Sequence, residues 1–300
     1  MIFECFYESI ARKANLMTEN IDNWQEFENT LKLFTLPREA PVLALRTLLE
    51  LVYNVSVTGT ELIPKAGGAV IVCNHTDILD IPVQGVYSPR KIVFLGKYEI
   101  FRPQDTIIEY LSSPSSPFQS FPLNLLKPQI ENLLNAFGNV YSNQLQKWGS
   151  MPIIRGHIGE GAGAKAAVAY YEELENYMVS LVKSGEILSI YPEGTRSETG
   201  IIAPFKALAA KIAIRAQVPI IPSGINGAWR MSEPKAFLSG QAFKTKITYN
   251  IGMPILPDDF PKGHEKKSAK ELTERLEKAV YFLAHNRERR GKPRRVTTVL

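Results

Sequence analysis

The sequence predicts an α/β fold with a mostly parallel central sheet flanked by helices, preceded by an N-terminal helical extension. Three observations lead there. From about Val55, short β-branched runs bounded by Gly and Asn alternate with helical stretches. Helices of this length between strands imply parallel crossovers that cover both faces of a sheet. The chain has 300 residues, 45% apolar and 22% charged, which suits a globular α/β domain with a sizeable core.

The elements follow in order. Residues 1–40 read as a helical extension closed by Pro37 and Pro41. "APVLALRTLLELVYNVSV" from Ala40 is amphipathic, interrupted by Arg46 and Glu50. "VSVTG", "GAVIVCN" and "KIVFLGK" are strands, and "MPIIRG" from Met151 is a short fourth. A helix from Ala162 stops at Gly185. "EILSIYPEG" is a strand, "FKALAAKIAIRAQ" a helix, and "VPIIPSGI" and "TKITYNIG" are strands. The closing helix begins near Ser268, a cap candidate three residues before Glu271. Residues 102–150 interrupt the alternation. "SSPSSPFQSFP" cannot be a central strand or a helix interior. The stretch after it has helical spacing at Leu125, Ile130, Leu133, Leu134 and Phe137, so the insertion reads as a surface loop and a helix. The main domain then occupies 41–285, and 286–300 is a basic tail.

Composition excludes several classes. Cys5 and Cys73 are far apart, and Cys73 sits in a buried strand, so no disulfide or zinc framework is expected. The N-terminus lacks a basic region followed by a long apolar core, so no cleavable signal peptide is expected. No stretch approaches the roughly 20 apolar residues of a bilayer span. The net charge of +5 is uneven: Arg287 to Arg295 holds five Arg and one Lys against one Glu. That run suits anionic lipid, nucleic acid or water, and no nucleic-acid-binding motif accompanies it.

Two polar clusters fall at strand ends, where open α/β sheets bind ligands. The first is "NHTDILD". Five residues of continuous helix turn through about 140°, so His75 and Asp80 face each other only if the chain bends between them. Asp77 is a good helix cap and Pro82 is tolerable only near a helix start, so His75 falls in a loop and Asp80 at the first turn. An Asp on one ring nitrogen fixes the tautomer and leaves the other nitrogen to take a proton. With no nucleophile elbow and no second His for a metal, the pair suits activation of a substrate hydroxyl. The second cluster is "YPEGTRSETG". Pro-Glu-Gly-Thr is ordinary turn chemistry, while Arg196 offers a planar fork suited to phosphate.

Together the motifs resemble the glycerolipid acyltransferases, whose best-known members acylate 1-acylglycerol-3-phosphate. "NHTDILD" carries the family's His-x₄-Asp, and "YPEGTRS" is close to its Phe-Pro-Glu-Gly-Thr-Arg-Ser. "MPIIRG" and "VPIIP" resemble its second and fourth blocks, and Pro204-Phe205-Lys206 also has the family's look. Ile154 stands where an acidic residue commonly precedes the second block's Arg. The resemblance implies His75 as general base and Asp80 as its orienting partner. It implies Glu193, Gly194, Thr195 and Arg196, with Arg155, around the acceptor phosphate, and Pro222 shaping an acyl pocket. It also implies an acyl-CoA or acyl-carrier protein co-substrate, no other cofactor, no metal and no nucleic acid. The acceptor is a lysophosphatidate-type lipid, with glycerol-3-phosphate or another lyso-lipid as the enzymatic alternative and a non-catalytic lipid-binding protein as the other class. A lipid product without a membrane span implies peripheral attachment to a membrane surface, on the cytoplasmic face.

Overall fold

A computed structural model describes residues 37–153 and 164–288. Most of the N-terminal extension, Cys5, Arg155 and most of the basic run after Arg287 lie outside them. The elements are α1 (Glu39–Val52), β1 (Asn54–Thr58), β2 (Ala69–Cys73), α2 (Asp80–Tyr87), β3 (Ile92–Lys97), α3 (Tyr98–Phe101), α4 (Gln104–Ser112), α5 (Lys127–Lys147), β4 (Ser150–Ile153), α6 (Ala164–Lys183), β5 (Ile187–Ile190), α7 (Leu208–Ala216), β6 (Ile220–Asn226), α8 (Pro234–Leu238), β7 (Lys246–Ile251) and α9 (Glu265–His285). The seven strands form one sheet in the order β1-β7-β6-β2-β5-β3-β4. β2 pairs in parallel with β5 and β6, β3 with β5, and β1 with β7. β6 and β7 are antiparallel. The sheet is therefore mostly parallel, as the alternation of elements predicts.

Contacts divide the chain into two compact units. Among the described residues, one comprises 96–147, 152–153 and 164–170; the other comprises 37–95, 148–151 and 171–288. In the first, α4 packs on α5, and the Gln104 side chain lies where a Cβ on Gly138 would otherwise stand. The insertion thus holds a helix that the expected loop and single helix omits. Its reason is the buried pair Gln104 and Leu111, seven residues apart on one face of α4. The Ser/Pro run forms only short 3₁₀ turns at Pro117–Gln119 and Leu123–Leu125.

The second unit carries the core. Every residue of β2 and β5 is buried, as expected for central parallel strands covered on both faces. Successive side chains on a strand point to opposite faces. Ile71 and Cys73 join Leu49 and Tyr53 of the α1 side, Val83 of α2, and Ile225 and Tyr249 in one apolar cluster. Across the sheet, α9 lies directly on β6. Ser268 does not cap α9: the helix starts at Glu265, the His264 side chain accepts a bond from the Lys266 N–H, and Ser268 is buried within the helix. A Ser one turn inside a helix whose first residues are already ordered has no orphan N–H to serve.

Gly224 permits the close approach of α9. A Cβ there would stand 2.4 Å from the Ala284 nitrogen and 2.7 Å from the Leu283 carbonyl carbon. Both are backbone atoms that cannot swing aside. Gly224→Ala is expected to lower unfolding stability by ~1–3 kcal/mol, the usual penalty of overpacking. Denaturant unfolding checks this, and an unchanged midpoint would mean that α9 moves freely on the sheet.

Candidate active site

The register of β2 on β5 builds the site. Val72 pairs with Ile190. His75 lies three residues past the first and Glu193 three past the second, so two parallel strands deliver both to the same level beyond the sheet edge. The His75 N–H donates to Glu193 Oε1 at 2.7 Å. The other carboxylate oxygen accepts from the Ala203 N–H at 2.6 Å. The Ser197 N–H in turn donates to the His75 carbonyl at 2.8 Å. Loop 74–79 and loop 191–206 are thus tied by hydrogen bonds at both the N–H and the carbonyl of His75.

Asn74 fixes the other side of the first loop. Its amide donates to the Ile225 carbonyl and accepts from the Ile225 N–H, both at 2.8 Å. β6 registers Val72 opposite Pro222, so Asn74 replaces the next ladder step between the two strands. Asp77 accepts from the Leu79 N–H at 3.0 Å rather than capping α2 itself, whose first residue is Asp80. Pro82 falls in the first turn of α2, where its missing N–H costs nothing.

The chain bends between His75 and Asp80 as the spacing requires. His75 Nδ1 lies 2.9 Å from Asp80 Oδ2, and the N–H groups of Thr76 and Asp77 donate to that same oxygen at 2.6 and 2.8 Å. Three donors converge on one oxygen, while Asp80 Oδ1 is buried without a hydrogen bond. Burial raises the Asp80 pKa, opposed by the His75 ring and the two N–H groups. The imidazole stacks on the Tyr191 ring with centroids 4.1 Å apart and planes 17° from parallel. His75 Nε2 makes no protein hydrogen bond among the described residues, and the side chain is 14% exposed. The nearby Cys73 thiol is fully buried and burial pushes its pKa well up, so it is no nucleophile. Among the described residues, no three His, Cys, Asp or Glu side chains are grouped to hold a metal.

The second loop holds a tight turn. The Gly194 N–H donates to the Tyr191 carbonyl, and Gly194 has φ 82°, a conformation that favours glycine. A Cβ there would also stand 2.6 Å from Lys206 Nζ. Thr195, Arg196 and Lys206 are exposed, and the Arg196 guanidinium pairs with no acid among the described residues. The turn and a free cationic tip are therefore one object. Glu193 departs from expectation: it is buried, and both its oxygens are engaged by backbone N–H groups. It clamps loops and offers no face to an anion. Pro222 is also buried, inside β6, with its ring against Gly252.

These paired loops fall within a match to the family model described as Acyltransferase, which covers residues 54–115 and 127–226. The chain belongs to the acyltransferase family. The break in the match coincides with the Ser/Pro-rich part of the insertion. The 1-acyl-sn-glycerol-3-phosphate acyltransferase of Bacillus subtilis is 24% identical over 238 residues, spanning 79% of this chain and 92% of that protein. One of the same name from Cocos nucifera is 35% identical over 196 residues, spanning 64% of this chain and 47% of that protein. The crystal structure of the 1-acyl-sn-glycerophosphate (LPA) acyltransferase PlsC from Thermotoga maritima aligns over 91% of this chain and 88% of that one, with TM-score 0.46 and 21% identity.

In this acyltransferase, sequence reasoning passed over Asn74, Gln84, Tyr191 and Lys206. Asn74 and Lys206 stood inside the quoted motifs, but only the fold supplies their partners. Asp80 gives a pH test. Its folded pKa is raised above its ordinary value, so its contribution to stability is fully present below the unfolded value of about 3.9 and is lost as pH rises through the folded one. Asp80→Asn retains an oxygen for the three donors and removes the buried charge. Its stability relative to the wild type is expected to rise as pH is raised above about 3.9, measured by denaturant unfolding. A constant difference would refute the raised pKa.

Proposed function

We propose that the chain is an O-acyltransferase that moves a fatty acyl group from acyl-CoA or acyl-carrier protein to the free hydroxyl of a lysophosphatidate-type acceptor, making phosphatidate. One observation carries the reading. The His75 ring is fixed at Nδ1 by Asp80, with Nε2 free of protein partners among the described residues, beside a loop tip that presents Arg196. The names of the Bacillus and Cocos relatives support the same acceptor.

The chemistry follows from the tautomer. With Nδ1–H donated to Asp80, Nε2 carries a lone pair and takes the proton of the acceptor hydroxyl as its oxygen attacks the thioester carbonyl. The tetrahedral intermediate collapses, the carbon–sulfur bond breaks, and the imidazolium returns the proton to the leaving thiolate. Asp80 stabilises the imidazolium between these steps. The buried, neutral Cys73 makes a covalent acyl-enzyme unnecessary to the scheme. Arg196 holds the acceptor phosphate, with Lys206 across Gly194 as a second cation in reach of the same turn. Thr195 and Gly194 shape that turn, and Arg155 adds a further cation.

Two substitutions test the roles. His75→Ala is expected to lower kcat by about 10²–10⁴-fold without unfolding the protein. Arg196→Ala is expected to raise KM for the acceptor by about 10- to 100-fold, the equivalent of one charge-assisted hydrogen bond, with KM for the donor little changed. Steady-state kinetics with lysophosphatidate and acyl-CoA or acyl-carrier protein decide both. Near-wild-type turnover of His75→Ala would refute the general base, and equal movement of both constants would make Arg196 structural.

The reaction takes place at a membrane surface, on the cytoplasmic face. No described helix is long and apolar enough to cross a bilayer. α1 exposes Leu43, Leu48 and Leu51 at 67%, 56% and 76%, a face suited to the interface. The cations after Arg287 add attraction to an anionic leaflet, about 1 kcal/mol for each one near the surface. Binding to anionic vesicles is expected to weaken in high salt and in a chain ending at Asn286, measured by co-sedimentation. Equal binding of both chains would remove the tail from the account.

A further inference from the structure

His75 is held at one edge by a single oxygen. A hydrogen bond at Nδ1 sets the tautomer but leaves the ring free to tilt about the bonded edge. What restrains the tilt is the face contact with Tyr191. Tyr191 is itself held at its far end: Gln84 Nε2 donates to its hydroxyl at 3.0 Å, and Ser189 Oγ donates to Gln84 Oε1 at 2.8 Å. Gln84 and Ser189 are 0% and 1% exposed, so no water competes for these bonds.

The arrangement uses one helix twice. Asp80 and Gln84 are four residues apart on α2 and lie on one face of it. Asp80 meets the edge of the imidazole, and Gln84 anchors the ring beneath it. Ser189 and Tyr191 are two residues apart at the end of β5, so their side chains leave the same face of that strand. A Phe at position 191 would keep the stack and lose the anchor.

We propose that Tyr191 is a positioning residue for His75, fixing the tilt of the imidazole, and that the buried Ser189–Gln84 pair locks Tyr191 in place. The inference rests on the general-base reading of His75. Its physical effect is twofold. Nε2 is held on the line of proton transfer, where small displacements are costly. The electron-rich ring face also favours the imidazolium that forms during the reaction. The titratable groups packed about the stacked rings are Asp80 of α2, Cys73 of β2 and Tyr249 of β7, with Asp77 and Glu193 in the adjoining loops. Burial holds the Tyr191 phenol well above its ordinary range, so the ring stacked on the imidazole stays neutral.

The experiment combines kinetics with imidazole NMR on the full chain. The sequence has four His, and the signal missing from His75→Ala identifies the one of interest. Tyr191→Leu is expected to lower kcat by up to about 10²-fold, with both KM values within about twofold of wild type, and to move the His75 titration to lower pH. Tyr191→Phe, which keeps the ring and its packing, is expected to lose less and to leave the titration near wild type. Gln84→Met is expected to match Tyr191→Phe in kcat, and the double variant to be no worse than either, because both remove the Gln84–Tyr191 bond. Denaturant unfolding of each variant separates loss of fold from loss of position. Wild-type kcat in Tyr191→Leu, an unmoved His75 titration, or additive losses in the double variant would each overturn the proposal. Full activity in His75→Ala would instead overturn the general-base reading, and the titration would still report whether Tyr191 governs the ring.

Discussion

The site depends on the parallel register of β2 and β5. Because Val72 stands opposite Ile190, the first residues past each strand are neighbours, and a carboxylate three residues beyond one meets a backbone N–H three residues beyond the other. Glu193 converts that proximity into a clamp. Its two oxygens bind N–H groups from separate segments, at His75 and Ala203. A hydrogen bond to a charged acceptor contributes about 1.5–3 kcal/mol, and leaving such a buried group unpaired costs more. His75 is therefore placed by the core of the sheet, and its own loop only completes the placement.

The same clamp explains a charge problem. Asp77, Asp80 and Glu193 are all buried near one strand end, although the proposed acceptor is an anion. Each carboxylate is occupied: Asp80 by three donors on one oxygen, Glu193 by two N–H groups, and Asp77 by the Leu79 N–H. Inward-facing acids serve the backbone and the imidazole, while outward-facing cations, Arg196 and Lys206, are left to meet the ligand. Inside and outside of one turn thus carry opposite charge, with Gly194 at the point where the chain reverses.

Stability and function diverge at Asp80. Burial without a partner for Oδ1 works against its charged form, and a neutral residue of the same shape would suit the fold better. The charge stands where the proposed mechanism forms an imidazolium. Such locally unfavourable groups are expected at catalytic positions, held there by surroundings that over-determine their geometry.

By itself the sequence determined the sheet-and-helix alternation, the strand ends where polar residues gather, and the need for a bend between His75 and Asp80. These are local properties: β-branched runs, Gly and Pro punctuation, and a five-residue spacing incompatible with one helix face. It also identified the turn at Gly194 and the exposed Arg196, because a turn and a charge are each written in a few adjacent residues. The tertiary structure decided which distant residues meet. Glu193 reads as a ligand contact in its motif and becomes a clamp once β5 lies beside β2. Pro222 reads as a pocket wall and is an interior strand residue because β6 is covered by α9. Gln84 and Tyr191 lie 107 residues apart, and nothing local marks either as the other's partner. Helix α4 was hidden because its burial rests on contact with α5, and Ser268 misled because where α9 begins is set by the preceding turn rather than by a Ser and a Glu at the right interval.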